Sequence, residues 1–272
     1  MDAKLKLPEY ENPPVTEVVL GIQFDPLDRF TVVHPGLYWL TLKDKYPTVS
    51  AQPPLNPDQE AFDGEIRQAE NKVELLSVPP LPRCWFVDTP NNKLVQIQRD
   101  RLLHNWRKVT GLESYPRYES ISQEFKSIWA DFLRFAKNEN LGTVKPNHWE
   151  VTYVNHLPKK GLWDSAGDFS KIFSNWAGKS SGTFLPTPEN ISFKLSYVFP
   201  EKRGRLHIVV DPAYRLSDKS MIIRLTLTAR GKIESSDPNS VMANLDQGHE
   251  WIVNGFTDFT TPEAHKFWKR KE

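Results

Sequence analysis

Two glutamates raise the question of chemistry. "ENPPVTEVVLGIQF" carries Glu17 and "KPNHWEVTYVNHL" carries Glu150, each early in an apolar run that reads as a strand behind proline. Glutamate is disfavoured inside strands. Two carboxylates brought together push the pKa of one of them up, which is how an acid–base pair is built. A buried carboxylate left alone is costly, so the plainer reading gives each glutamate a structural partner, with Arg107 or Arg224 supplying the charge. The structural reading is the expectation.

The remaining reactive types form no catalytic set. "AGKSSGT" contains Gly-Lys-Ser, but a phosphate-cradling loop needs a glycine five places before its second one, and Phe173 stands there. The stretch reads as a helix C-cap running into a connection, so no nucleotide is expected on Gly178–Ser181. His148 and His156 share a strand face about 26 Å apart, too far for one metal. His249 falls on an apolar helical stripe and reads as a hydrogen-bonded core histidine. A single cysteine, Cys84, does not suit a structural zinc site and rules out an intramolecular disulfide. Neither a nucleophile elbow nor a dinucleotide glycine pattern is present. The expectation is no enzyme, no cofactor and no metal.

Bulk composition bounds the partners. With 35 Lys plus Arg against 34 Asp plus Glu, there is no global field to gather a polyanion, so a nucleic-acid site would be a local patch. Apolar residues at 39%, with nine Trp and fifteen Phe, supply a core. The start lacks an apolar segment of signal-peptide length, and no run reaches the roughly 18 apolar residues of a membrane helix. One cysteine fits a reducing compartment. A cytoplasmic protein away from the membrane is expected.

The elements that would position these residues come in two runs. The first reads as a strand at 15–24, a helix at 34–47, strands at "KVELLSV", "RCWFVDT" and "KLVQIQRDRLLHNW", and a long helix capped by Ser120 with Gln123 closing a capping box. "AQPPLNPDQEAF" reads as a proline-rich loop. The second run reads as a strand at "HWEVTYVNHL", a short helix ended by Gly178, three strands and a last helix. The stripe Leu245, His249, Ile252, Phe256 and Phe259, moved back by 124, falls on Ile121, Phe125, Ile128, Phe132 and Phe135. We expect an α+β fold made by tandem duplication of a strand–helix–three-strand–helix unit, with halves at 1–143 and 144–272, forming a curved antiparallel sheet with helices on one face. In element order this resembles the saddle of the TATA-box binding protein. Alternation in "MIIRLTLTARG" turns Arg224, Thr226, Thr228 and Arg230 to the other face, joined by His207.

"NPPVTEVVLGIQF", "NWRKVTGLESYPRYESISQEF", "YVN" and a closing helix with His249 and Phe256 together resemble a sporadically distributed bacterial family of about this length, one without an established activity. Asn12, Pro13, Pro14, Glu17, Trp106, Arg107, Tyr115, Pro116, Tyr118, Phe125 and Asn155 stand at its recurring positions. The resemblance implies mobile or defence-related genes and a toxin–antitoxin or phage-defence partner, encoded nearby. The stretch 48–93 and the tail "HKFWKRKE" carry no motif.

Three readings follow. The first is a non-catalytic binding module of a bacterial cytoplasmic complex with a protein partner. The second is nucleic-acid binding over the polar sheet face, with Arg224, Arg230 and neighbouring cations on phosphates and His207 or Trp106 stacking on bases. The third is an enzyme using the two glutamates. The candidate binding residues are Glu17, Glu150, Asn155, Trp106, Arg107, Arg224, Arg230 and His207. Oligomeric state is not legible in the sequence.

Overall fold

Residue alternation along the two glutamate-bearing strands sets the architecture. In β6 (Pro146–Pro158) buried and half-buried residues alternate over most of its length, the period a strand needs when its two faces differ. β6 lies antiparallel beside β1 (Val15–Phe24). Pro13 and Pro14, which cannot donate ladder hydrogen bonds, stand just before β1, and the Pro14 carbonyl accepts from the His156 amide at 3.0 Å. The computed structural model describes residues 6–57, 59–62, 80–159, 161–176, 182–215 and 218–272.

Around this central pair the chain adds β2 (Thr48–Gln52), β3 (Arg83–Val87), β4 (Lys93–Gln98), β5 (Arg101–Arg107), β7 (Phe193–Val198), β8 (Arg205–Tyr214) and β9 (Met221–Lys232). They form one nine-stranded antiparallel sheet in the order β2-β3-β4-β5-β1-β6-β9-β8-β7. The fold is α+β, an open sheet with a few helices. α1 (His34–Leu42), α2 (Tyr118–Asn138), α3 (Pro238–Phe259) and α4 (Pro262–Phe267) complete it. Aromatic contacts place α1 and α2 on one side of the sheet: Phe24 of β1 stacks on Phe132 of α2 at 5.3 Å, and Tyr38 of α1 meets Phe86 of β3 and Phe132. α3 lies on the same side, over Trp149. A Cβ on Gly248 of α3 would come within 2.5 Å of that indole, and one on Gly231 of β9 within 2.7 Å. Both positions must therefore stay small for the helix to close on the sheet.

Several expectations are corrected. The run from Lys93 to Arg107 is a hairpin, not one strand. It turns at Arg99-Asp100, a pair without a glycine signal, and the two turn carbonyls accept from Leu27 and Phe24. The proline-rich stretch begins with an edge strand, β2. Ser120 does not cap α2, which starts at Tyr118 with Arg117 ahead of it and no side-chain cap. The short second helix is a 3-10 turn at Ala166–Lys171. The motif-free tail forms α4 and then pairs with the N-terminal segment, through the Tyr10–Arg270 bridge and the ion pairs Glu11–Lys269 and Glu9–Lys271. The strand expected at "KVELLSV" and the loop Gly178–Ser181 lie outside the described residues. Among the described residues no helix is long and apolar enough to cross a membrane.

Candidate functional site

The register separates the two glutamates. Glu17 stands opposite Val154, and Glu150 opposite Gly21, four residues or about 13 Å along the strand pair. They make no acid–base pair. Nor do Arg107 or Arg224 supply their partners. Glu17 accepts from Asn105 Nδ2 at 2.7 Å, Asn105 Oδ1 accepts from Gln96 at 2.6 Å, and Gln96 Oε1 accepts from both Arg83 and Trp85. Every donor in this chain points toward the carboxylate, so each bond polarises the next. Arg107 donates to Asn91 instead and lies over the Trp85 ring. Arg224 stands 3.7 Å from Asp211. Glu150 does have an arginine, Arg230, at 2.8 Å.

All these groups share the sheet face away from the helices. That face is partly covered. The segment 53–62 is bound at one end by Gln98, which bonds both the amide and the carbonyl of Leu55, and by Arg101, which donates to the Asn56 carbonyl at 2.8 Å. At its other end Arg205 donates to the Ala61 carbonyl, while Glu60 takes Arg205 and His207. Residues 55–56 thus meet the face on β4 and β5, and residues 60–61 meet it on β8. Proline content is why no strand period announced this segment. Trp106 is not on this face. It is 2% exposed on the helix side, tilted against Tyr115 at 5.5 Å, and cannot stack on a base.

On the helix side a cavity of about 190 Å³ opens between the N-terminal segment, the start of α2, β6 and α3. Asn155, expected as a binding residue, is 1% exposed in its wall and donates to the Leu225 carbonyl at 3.1 Å. Alternation along β6 sends Tyr153 and Asn155 here while Glu150 and Thr152 face the other way. Tyr115 and Tyr153 hydroxyls lie 2.9 Å apart, and Tyr153 reaches His249 Nδ1 at 3.0 Å. The His249 ring stacks flat on Tyr118 at 3.9 Å, and the Tyr118 hydroxyl donates to Asp246. His249 is hydrogen-bonded, as its place on the stripe predicts, but it is half-buried in the cavity wall and not in the core.

Burial pushes the Tyr115 pKa up to about 12. Burial raises Tyr118 as well, with Asp246 adding to it, and lifts Tyr153 well above the ordinary value, with Tyr115 adding to it. These hydroxyls stay protonated at neutral pH. They can hydrogen-bond a guest, but they cannot act as bases.

Arg117, on the cavity rim, has φ 69 and ψ 158, a backbone region that belongs almost to glycine alone. Its guanidinium donates to the Tyr10 carbonyl at 3.1 Å and lies over the Tyr115 ring. Such strain, about 1–3 kcal/mol, persists where the surroundings over-determine it, commonly at binding sites. Sequence reasoning placed Asn155 in a site but missed Tyr115, Arg117, Tyr118, Tyr153 and His249 as a group. "YPRY" and "YVN" lie 38 residues apart between the two tyrosines that bond, and only the fold joins them. Among the described residues no cluster of three or more His, Cys, Asp or Glu is placed to hold a metal. Comparison of the chain with protein-family models, curated proteins and solved structures returns no match to any of the three.

Proposed function

We propose that the chain is a non-catalytic binding module of a bacterial cytoplasmic complex, and that the cavity beside β6 receives a ring-sized, hydrogen-bonding group presented by a partner. The observation that carries this is the cavity's chemistry. Its volume, about 190 Å³, compares with the roughly 150 Å³ that admits benzene in an engineered protein cavity. Aromatic walls and buried hydroxyls that keep their protons suit recognition of a flat polar group. The setting, a defence-related complex with a partner encoded nearby, rests on the resemblance alone.

The test is ligand-observed NMR with a set of aromatic heterocycles, against the wild-type chain and His249→Leu. Fragments should compete for one site and lose binding in the variant. Absence of any binder, or binding indifferent to His249→Leu and Tyr153→Phe alike, refutes the reading. Co-purification of the adjacent gene's product with the wild type but not with His249→Leu would identify the partner.

The same reading includes a tandem duplication, with halves meeting at β1 and β6 in a saddle-like sheet. Reading outward, β5, β4 and β3 correspond to β9, β8 and β7, and α2 corresponds to α3. The ladder supports it at one position: Glu17 faces Arg107 across β1–β5, and Glu150 faces Arg230 across β6–β9. Superposing the halves should lay one Glu–Arg step on the other. A best fit that misplaces that step sinks the duplication.

A further inference from the structure

The walls of the helix-side cavity spend most of their hydrogens on one another. Tyr10 donates to the Thr257 hydroxyl, whose own hydrogen goes to the Val253 carbonyl. Tyr118 donates to Asp246. Tyr115, Tyr153 and His249 Nδ1 form a chain in which, with Nδ1 accepting, both hydroxyl hydrogens are used. The Arg117 guanidinium is engaged with the Tyr10 carbonyl.

Asn155 differs. It is 1% exposed, and the space it lines is this cavity. The Leu225 carbonyl can only accept, so the bond at 3.1 Å fixes Nδ2 on that side of the amide. Oδ1 is left over, an acceptor with two lone pairs, and no described residue donates to it. Opposite Asn155, β1 carries an extra residue: Val15 pairs with Asn155 and Glu17 with Val154, so Thr16 is a bulge. Bulges re-aim side chains and recur beside binding sites. A guest that fills the cavity shuts water out from Oδ1. Unless the guest brings a hydrogen, a buried oxygen is left unpaired, which weakens binding.

The guest's pattern follows. It is flat, to lie between aromatic walls. It carries a donor for Oδ1 and no acceptor, because the walls have few hydrogens left to give. A phenylalanine ring has no donor. Tyrosine and histidine each bring an acceptor with their donor, and nucleobases bring several acceptors. An indole has its N–H and nothing else, and tryptophan is a frequent anchor at the centre of protein interfaces. We propose that the guest is a tryptophan side chain presented by a partner protein, and that Asn155 Oδ1 accepts its indole N–H. This rests on the reading of the cavity as a binding site and names the group it selects.

Calorimetric titration of the full chain with 3-methylindole, which is the tryptophan side chain, and 3-methylbenzofuran, which keeps the shape with oxygen in place of the N–H, tests it. The wild type should bind the indole about tenfold or more tightly. In Asn155→Leu, or in Asn155→Thr if the first does not fold, the two should bind within about twofold of each other. Should neither variant fold, the wild-type contrast decides alone. Equal binding of the two compounds to the wild type overturns the proposal and leaves the cavity a binding site. So does a preference that survives in a folded Asn155 variant. Tighter binding of 9-methyladenine than of 3-methylindole overturns it in favour of a nucleobase. Binding of none of the three refutes the reading of the cavity itself.

Discussion

Acid should loosen this protein through buried histidines, His104 foremost, with His156 and His265 also held down by burial, before its carboxylates titrate. His104 of β5 is 0% exposed on the helix side of the sheet. Its Nδ1 lies 3.2 Å from the Leu94 carbonyl and donates to it, so in the neutral ring Nε2 carries a lone pair. Nε2 faces Glu124 of α2 at 3.8 Å, and Glu124 also holds Lys45, Lys93 and the Tyr46 hydroxyl. Burial drives the His104 pKa down to about 4, against the opposing pull of Glu124. The folded pKa is therefore depressed below the ordinary 6.5. Its stability contribution is fully present above pH 6.5 and is lost as pH falls toward 4, because the unfolded chain takes up the proton first. Lowering the pKa from 6.5 to about 4 corresponds to about 3 kcal/mol, and about 2 kcal/mol of it is gone by pH 5. Burial pushes Glu124 up, but Lys45, Lys93, His104 and Tyr46 bring it down to about 2, so its own loss falls between pH 4.5 and 2. Between pH 7.5 and 5 the difference between the wild type and His104→Gln, which retains a donor for Leu94, isolates the histidine. Denaturant titrations at several pH values should show the wild type losing about 2 kcal/mol more than the variant, or about 4–8 °C in thermal midpoint. Parallel losses in the two proteins, or a His104 pKa measured by NMR at 6.5 or above, refute the reasoning.

Gly248→Val should lower stability by about 2 kcal/mol or more, read by thermal denaturation, because its side chain must enter the space of the Trp149 indole and Val151. Glu17→Ala leaves Asn105, 4% exposed, without its acceptor, and should cost about 1–3 kcal/mol. Glu150→Ala should cost less by the same assay, since Arg230 keeps Glu60 nearby. Arg117→Gly removes the positive-φ penalty together with the guanidinium on the rim. The thermal midpoint should hold or rise while heterocycle binding in the cavity weakens, and a large fall in midpoint would show that Arg117 is there to hold Tyr10 alone.

Period-2 and period-3.6 patterns told most of the fold, because the sheet has one face on the helices and the two long helices carry apolar stripes interrupted only at His249. What they did not tell has physical causes. The Arg99-Asp100 turn has no special backbone residue, since its carbonyls are satisfied by Phe24 and Leu27 from a distance. α2 begins with no side-chain cap, because Arg117 holds a backbone conformation that no local signal encodes. The segment 53–62 obeys no period at all. It binds through Gln98, Arg101 and Arg205, residues scattered over three strands.

That segment changes what the polar residues of the sheet mean. Read from β9 alone, Arg224, Thr226, Thr228 and Arg230 describe a solvated or nucleic-acid-facing surface. The register divides them: Arg224 answers Asp211, Thr228 and Thr152 bond each other at 2.9 Å, and Arg230 lies between Glu150 and Glu60. β6 makes the same division on a single strand, with Glu150 on the covered face and Tyr153 and Asn155 in the cavity. A one-residue slip of β6 against β1 would exchange those two sets. The apolar residues that forbid such a slip, Trp149, Val151 and Leu157, all 2% exposed or less, therefore hold the cavity and the opposite face of the sheet in place at once.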